Sequence, residues 1–212
     1  MKDLSLKNKK GFTLIEVMIA TALFTVIMVV GIGAVLGAND AHKRTQNIRA
    51  TLDNLSFVME EMSRSLRTGT RYHCNISSGI LTDPQDCPND YTRSIAFESV
   101  NGDPTSAFDQ WVYSIQPSLS NPAHIEVVKK YEYPTGSGNQ ITVPLTPLNV
   151  EIDPIKSGFT VTGSCPVKPV GGLCTDLTQP KVVIRLSGQV LYKGQGVPFD
   201  LQTTVSQRVL DY

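Results

Sequence analysis

No proline occurs in the first 83 residues, and no charged residue occurs between Val17 and Ala38. The first absence removes the strongest helix breaker from over a third of the chain. The second leaves 22 consecutive uncharged, mainly apolar residues. A helix of that length rises about 33 Å, enough for the hydrocarbon core of a bilayer. Histidine is scarce as well. His42, His73 and His124 stand alone, with no H-E-x-x-H pair, no G-x-S-x-G elbow and no phosphate-binding glycine loop. No catalytic residue and no cofactor is therefore expected. The four cysteines include no C-x-x-C pair, which argues against a metal site. Formal net charge is zero, so nothing favours nucleic acid as a partner.

Residues 12–38 read FTLIEVMIATALFTVIMVVGIGAVLGA, with Glu16 as the single charge. The apolar stretch of an ordinary secretory signal is about 7–15 residues, so this run is too long for one. Lys2, Lys7, Lys9 and Lys10 precede it, against one acid, Asp3. Basic flanks stay on the cytoplasmic side, so the chain after Ala38 is expected outside. Glu16 is the anomaly. A carboxylate in a membrane helix costs about 2.5–3.5 kcal/mol at mid-bilayer and less near the interface. It calls for a partner or for hydration at the interface.

The segment Lys9-Lys10-Gly11-Phe12-Thr13-Leu14-Ile15-Glu16 resembles the processing motif shared by type IV prepilins and type II secretion pseudopilins. The matching features are a short basic leader with Lys7, Lys9 and Lys10, then Gly11, Phe12, Glu16 as fifth residue after the junction, and an unbroken apolar helix. The resemblance implies that a membrane aspartyl peptidase cuts between Gly11 and Phe12 and N-methylates Phe12. It also implies that Glu16 pairs with the freed amine of a neighbouring subunit. The chemistry suits the residues. Gly11 has no side chain to obstruct a protease cleft, and an amine and a carboxylate neutralise each other in a low-dielectric setting. Glu16 also falls in a first helical turn, where the dipole favours negative charge. Without residues 1–11 the formal charge is −3. The implied partners are other pilin or pseudopilin subunits, prepilin peptidase, an inner-membrane assembly platform and membrane lipid. The implied location is the inner membrane, single-pass with the head outside, and then the pilus or pseudopilus. Gly33 and Gly37 form a G-x-x-x-G pair, suited either to close helix packing or to local unwinding in a filament.

Beyond Ala38 the chain turns polar but keeps a helical period. Ile48, Leu52, Leu55, Met59, Met62 and Leu66 follow one another at spacings of 4, 3, 4, 3 and 4. This stripe covers fewer than three heptads, too few for a coiled coil, and predicts a helix face packed on a sheet. Gly69 marks the expected stop, so one helix is predicted from Phe12 to about Thr68. The expected divisions are a cleaved leader at 1–11, a transmembrane half-helix at 12–38, an amphipathic half-helix at 39–70 and a β-rich extracytoplasmic head at 71–212.

All 13 prolines and most glycines fall in that last division. Short β-branched and aromatic runs there predict strands at Arg93–Val100, Gln110–Gln116, His124–Tyr133, Gln140–Pro144, Leu148–Ile152, Phe159–Gly163, Lys181–Tyr192 and Phe199–Arg208. Ser187-Gly188 suggests a bulge or bend. Trp111 and Tyr113 share a strand face and read as core or sheet surface. Asp83, Asp86 and Asp90 read as solvated loop acids. Cys74, Cys87, Cys165 and Cys174 permit three disulfide connectivities. Nearest-neighbour pairing closes two small loops, each bridge contributing about 3 kcal/mol, and implies an oxidising compartment.

The fold class predicted is α+β: a pilin fold with one long amino-terminal helix, its first half transmembrane, on an antiparallel β-sheet head. Leu201–Leu210, Leu145–Val150 and Pro180–Leu186 resemble PilW-like minor pilins and J-type minor pseudopilins. The expected role is a structural, minor filament subunit. The alternatives are a pilus-tip adhesin or DNA-uptake minor pilin, and a bitopic anchored β domain that never assembles.

Overall fold

In the computed structural model, the described residues are 11–74, 84–100, 102–103, 106, 109–132, 140–163 and 179–208. The chain divides into two compact units, Met1–Gln46 and Asn47–Tyr212. A single helix, α1 (Leu14–Thr68), contributes to both. It starts two residues later than predicted and ends where predicted.

In the first unit α1 carries no charge from Val17 to Ala38, and every residue of that run is exposed. An 18-residue window reaches a mean hydropathy of 2.5 with none of it buried, so the helix is long and apolar enough to cross a membrane. The hydroxyls of Thr21 and Thr25 donate to the carbonyls of Met18 (3.0 Å) and Ala22 (2.8 Å). Each polar group is thereby satisfied within its own helix, as a lipid surround requires. The helix continues unbroken through Gly31, Gly33 and Gly37.

Among the described residues the second unit holds the end of α1 and ten strands: β1 (Thr70–His73), β2 (Cys87–Thr92), β3 (Ser94–Glu98), β4 (Trp111–Pro117), β5 (Ile125–Glu132), β6 (Gln140–Pro144), β7 (Val150–Ile152), β8 (Gly158–Thr162), β9 (Lys181–Tyr192) and β10 (Gln195–Ser206). They form two antiparallel sheets. One runs β1-β3-β4-β5-β6; the other runs β10-β9-β8-β2, with β7 also paired to β9. Eight strands coincide with predicted runs within a few residues. β1 and β2 were not predicted. Both are short and lack a clean apolar alternation, and both pair with a register irregularity.

The predicted stripe lies in the core at one end and at its margin at the other. Leu55, Met59, Met62 and Leu66 are buried, while Ile48 and Leu52 are half-buried. Thr51 and Val58 are buried as well and widen the face. One core cluster joins this face to residues of both sheets, including Tyr72, Phe97, Tyr113, Val127, Phe159, Ile184 and Leu186. Tyr72 also closes the helix, its hydroxyl donating to the carbonyls of Leu66 (2.5 Å) and Gly69 (3.0 Å). Leu66 lies in the last turn of α1 and Gly69 directly follows the helix, where carbonyls run short of intrahelical donors.

A polar pin crosses the helix–sheet boundary. Lys129 Nζ lies 2.5 Å from Glu61 Oε1, and the Tyr113 hydroxyl donates to Glu61 Oε2 at 2.7 Å. Lys129 also sits 3.7 Å from the centroid of Trp111, a cation–π contact. Burial drives the Tyr113 phenol well above its usual range. Trp111 and Tyr113 thus belong to the packing, as expected.

Cys74 and Cys87 form a disulfide between the end of β1 and the start of β2. Cys165 and Cys174 lie outside the described residues. So does Asp83, and the Asp90 side chain is likewise not described. Asp86 departs from the solvated reading: it is half-buried, and its carboxylate accepts the Gly163 N–H at 3.2 Å.

The hairpin β9–β10 turns through Lys193 (φ 48°) and Gly194 (φ 78°), the left-handed pair that a two-residue hairpin favours. Its ladder runs without a break from Gln195↔Tyr192 to Ser206↔Lys181. Ser187-Gly188 therefore forms no bulge against β10. Gly188 serves another purpose. β7 pairs there with β9, with Ile152 opposite Gly188, and a side chain at 188 would run into the Glu151 carbonyl.

Gly188→Ala is therefore expected to destabilise the second unit by about 1–3 kcal/mol, as overpacking against backbone does. Thermal denaturation followed by circular dichroism measures this. An unchanged midpoint would mean that β7 does not need that close approach.

Candidate functional site: the start of the amino-terminal helix

Gly11, Phe12 and Thr13 precede the first helical residue. Thr13 organises the start. Its Oγ1 accepts the Glu16 N–H at 3.3 Å, and its carbonyl accepts the Val17 N–H at 3.2 Å. Thr13 is thus the N-cap, and it satisfies one of the orphan donors of the first turn. Sequence reading missed this residue. The signal was present as Thr13-x-x-Glu16 before an apolar run, the sequence form of a capping box.

Glu16 lies in the first turn of α1. Phe12, Glu16, Val17, Ala20, Thr21 and Phe24 line one shallow surface. The i, i+4 spacing puts Glu16, Ala20 and Phe24 on a common helix face, and Phe12 lines the same surface. A carboxylate is thereby set in an apolar strip, and it makes no ion pair among the described residues. Phe12 is 81% exposed, so the backbone at the Gly11–Phe12 junction is not shielded by that side chain's packing. Lys7, Lys9 and Lys10 lie outside the described residues.

The arrangement supplies an exposed Phe12 at the peptide junction, a capped helix start and one acid in an apolar surface. Such a surface is suited to burial among lipids or other helices.

In the second unit a cavity of about 460 Å³ is lined by residues including Glu151, Asp153, Lys156, Gln189 and Phe199. Its polar groups satisfy one another. Gln189 donates to Glu151 at 2.7 Å, and Lys156 lies 3.6 Å from Asp153. Hydrogen bonds from the Ile155 and Lys156 backbone, the former first, hold the Asp153 carboxyl below its usual range. Arg185 does the same for Asp200 on the exposed face of β10. Among the described residues no group of three or more metal-ligating side chains occurs.

Residues 6–36 match the family model of the prokaryotic N-terminal methylation motif. No curated protein and no solved structure matches the chain. The motif match spans the helix start described above and supports the type IV pilin and pseudopilin family, whose members are structural proteins processed by prepilin peptidase and assembled with other pilin subunits. One apolar amino-terminal helix is consistent with a membrane-anchored pilin.

Thr13→Ala is expected to lose about 1 kcal/mol of helix-end stability, and Thr13→Ser to retain most of it. Amide hydrogen exchange at Glu16 and Val17 of the full chain in detergent micelles reads this. Equal protection in all three proteins would remove Thr13 as the cap.

Proposed function

We propose that this chain is a structural, minor subunit of a type IV pilus or type II secretion pseudopilus. The observation that carries the reading is the methylation-motif match over residues 6–36. It is in register with a capped helix that begins at Leu14 and exposes an uninterrupted apolar surface.

In this reading residues 1–11 are a leader that Lys7, Lys9 and Lys10 hold on the cytoplasmic side. Prepilin peptidase cuts between Gly11 and Phe12 and methylates the Phe12 amine. The segment 12–38 holds the subunit in the inner membrane, 39–70 carries the head, and 71–212 is the extracytoplasmic β domain. On assembly, neighbouring helices replace lipid around the apolar segment, and a terminal amine answers Glu16. The attraction is strong because the medium is dry, and an unanswered carboxylate there is costly for the same reason. The Cys74–Cys87 disulfide supports an oxidising location for the head.

Intact mass spectrometry of the mature protein is expected to show loss of residues 1–11 and gain of one methyl group. An uncut chain would sink the proposal. Glu16→Ala is expected to leave membrane insertion intact and to reduce incorporation into filaments by tenfold or more, scored by immunoblot of the sheared filament fraction. Wild-type incorporation of that variant would remove the charge pairing.

A further inference from the structure

Glu98 is the last residue of β3, and it is 1% exposed. Neither carboxyl oxygen has a partner in good hydrogen-bond geometry among the described residues, and the Gln110 amide is the neighbouring donor that favours the ionised form. A buried carboxylate in that condition is costly, whereas the neutral acid costs far less. The surroundings deepen the preference. Asp109 and Asp103 are the acidic neighbours; Arg71 on β1 and the Gln110 amide are the groups that oppose them. Arg71 sits in left-handed backbone at φ 55°, one residue beyond the Thr70↔Glu98 pair.

Gly102, a described residue in the stretch after β3, lies against this group. Gly102 N–H donates to the Ser99 carbonyl at 2.9 Å, and the Asp103 N–H donates to Asp109 at 2.5 Å. A side chain at Gly102 would come within 2.6 Å of Glu98 Oε2, so the backbone lies directly against the carboxyl. The Glu98 backbone adjoins the end of α1: a side chain at Gly69 would come within 3.2 Å of its carbonyl oxygen, and β1 begins two residues after Thr68 and pairs with β3.

We propose that Glu98 is a proton-operated latch on the joint where α1 ends and the first sheet begins. Protonated, it lets β1, β3 and the Gly102 backbone close over an uncharged group. Ionised, it sets a third carboxylate beside Asp103 and Asp109 in a dry site, and the joint loosens. The latch makes the head responsive to the acidity of the medium around it, and it is independent of which filament the chain joins.

The sign follows from linkage. Desolvation first, then Asp109, raises the Glu98 carboxyl from 4.5 to about 7. The closed joint therefore binds a proton that the open joint releases. Opening is suppressed below about pH 4.5, grows by up to about tenfold per pH unit toward pH 7, and levels off above it.

The test is amide hydrogen exchange of the full chain in detergent micelles from pH 5 to 8, corrected for the intrinsic rate. Opening at Thr70–His73 and Ser94–Glu98 is expected to rise by about tenfold between pH 5.5 and 6.5. Amides of Val182–Leu186 on β9 are expected to stay flat, and Glu98→Gln to abolish the dependence. An unchanged dependence in Glu98→Gln, or an equal rise on β9, would overturn the latch. If that variant does not fold, the wild-type protein labelled with ¹³C at glutamate carboxyls decides alone. One carboxyl is expected to titrate near pH 7, and its midpoint to fall in Asp109→Asn. Titration of every glutamate below pH 5.5 would end the proposal.

Discussion

Burial of one face of α1, from Thr51 to Leu66, is the contact on which the second unit depends. Both sheets contribute to the core cluster that receives it. Leu55, Met62 and Leu66 are completely buried, and losing any one of them would cost about 2–5 kcal/mol by the usual cavity argument. A helix face of this kind explains why two sheets, each able to bury only one side, share a single core. The Glu61–Lys129–Tyr113 contact then fixes the helix against the first sheet by hydrogen-bond direction, which apolar packing alone leaves loose.

The same chain carries three acids whose meaning differs by environment. Glu61 has a cation and a phenol beside it. Glu98 is buried with two acidic neighbours, and desolvation raises its carboxyl to about 7. Glu16 lies exposed in an apolar strip, and its partner in the proposed filament belongs to another subunit. One residue type thus serves a fold, a proposed switch and a proposed assembly step. Solvation and the nearest charges decide which.

Much of this was visible in one dimension. The stripe from Ile48 to Leu66 is a local period, and helices express local periods directly. Long alternating runs such as Lys181–Tyr192 announced strands for the same reason. β1 and β2 stayed hidden because they are short, and because the Cys74–Cys87 bridge and pairing with β3 and β8 define them. Ser187-Gly188 misled because glycine in a strand signals either a bulge or a close approach. Only the position of β7 distinguishes the two.

By itself the sequence determined the apolar helix and the placing of Glu16 in its first turn. Each rests on neighbours within about one helical turn, so chain order carries the physics. Tertiary structure alone decided that the strands divide into two sheets, that Lys129 meets Glu61, and that Glu98 is shut away beside Asp103 and Asp109. Those facts rest on contacts between residues far apart in the chain or on the burial they create. No local pattern encodes the desolvation that gives them their energy.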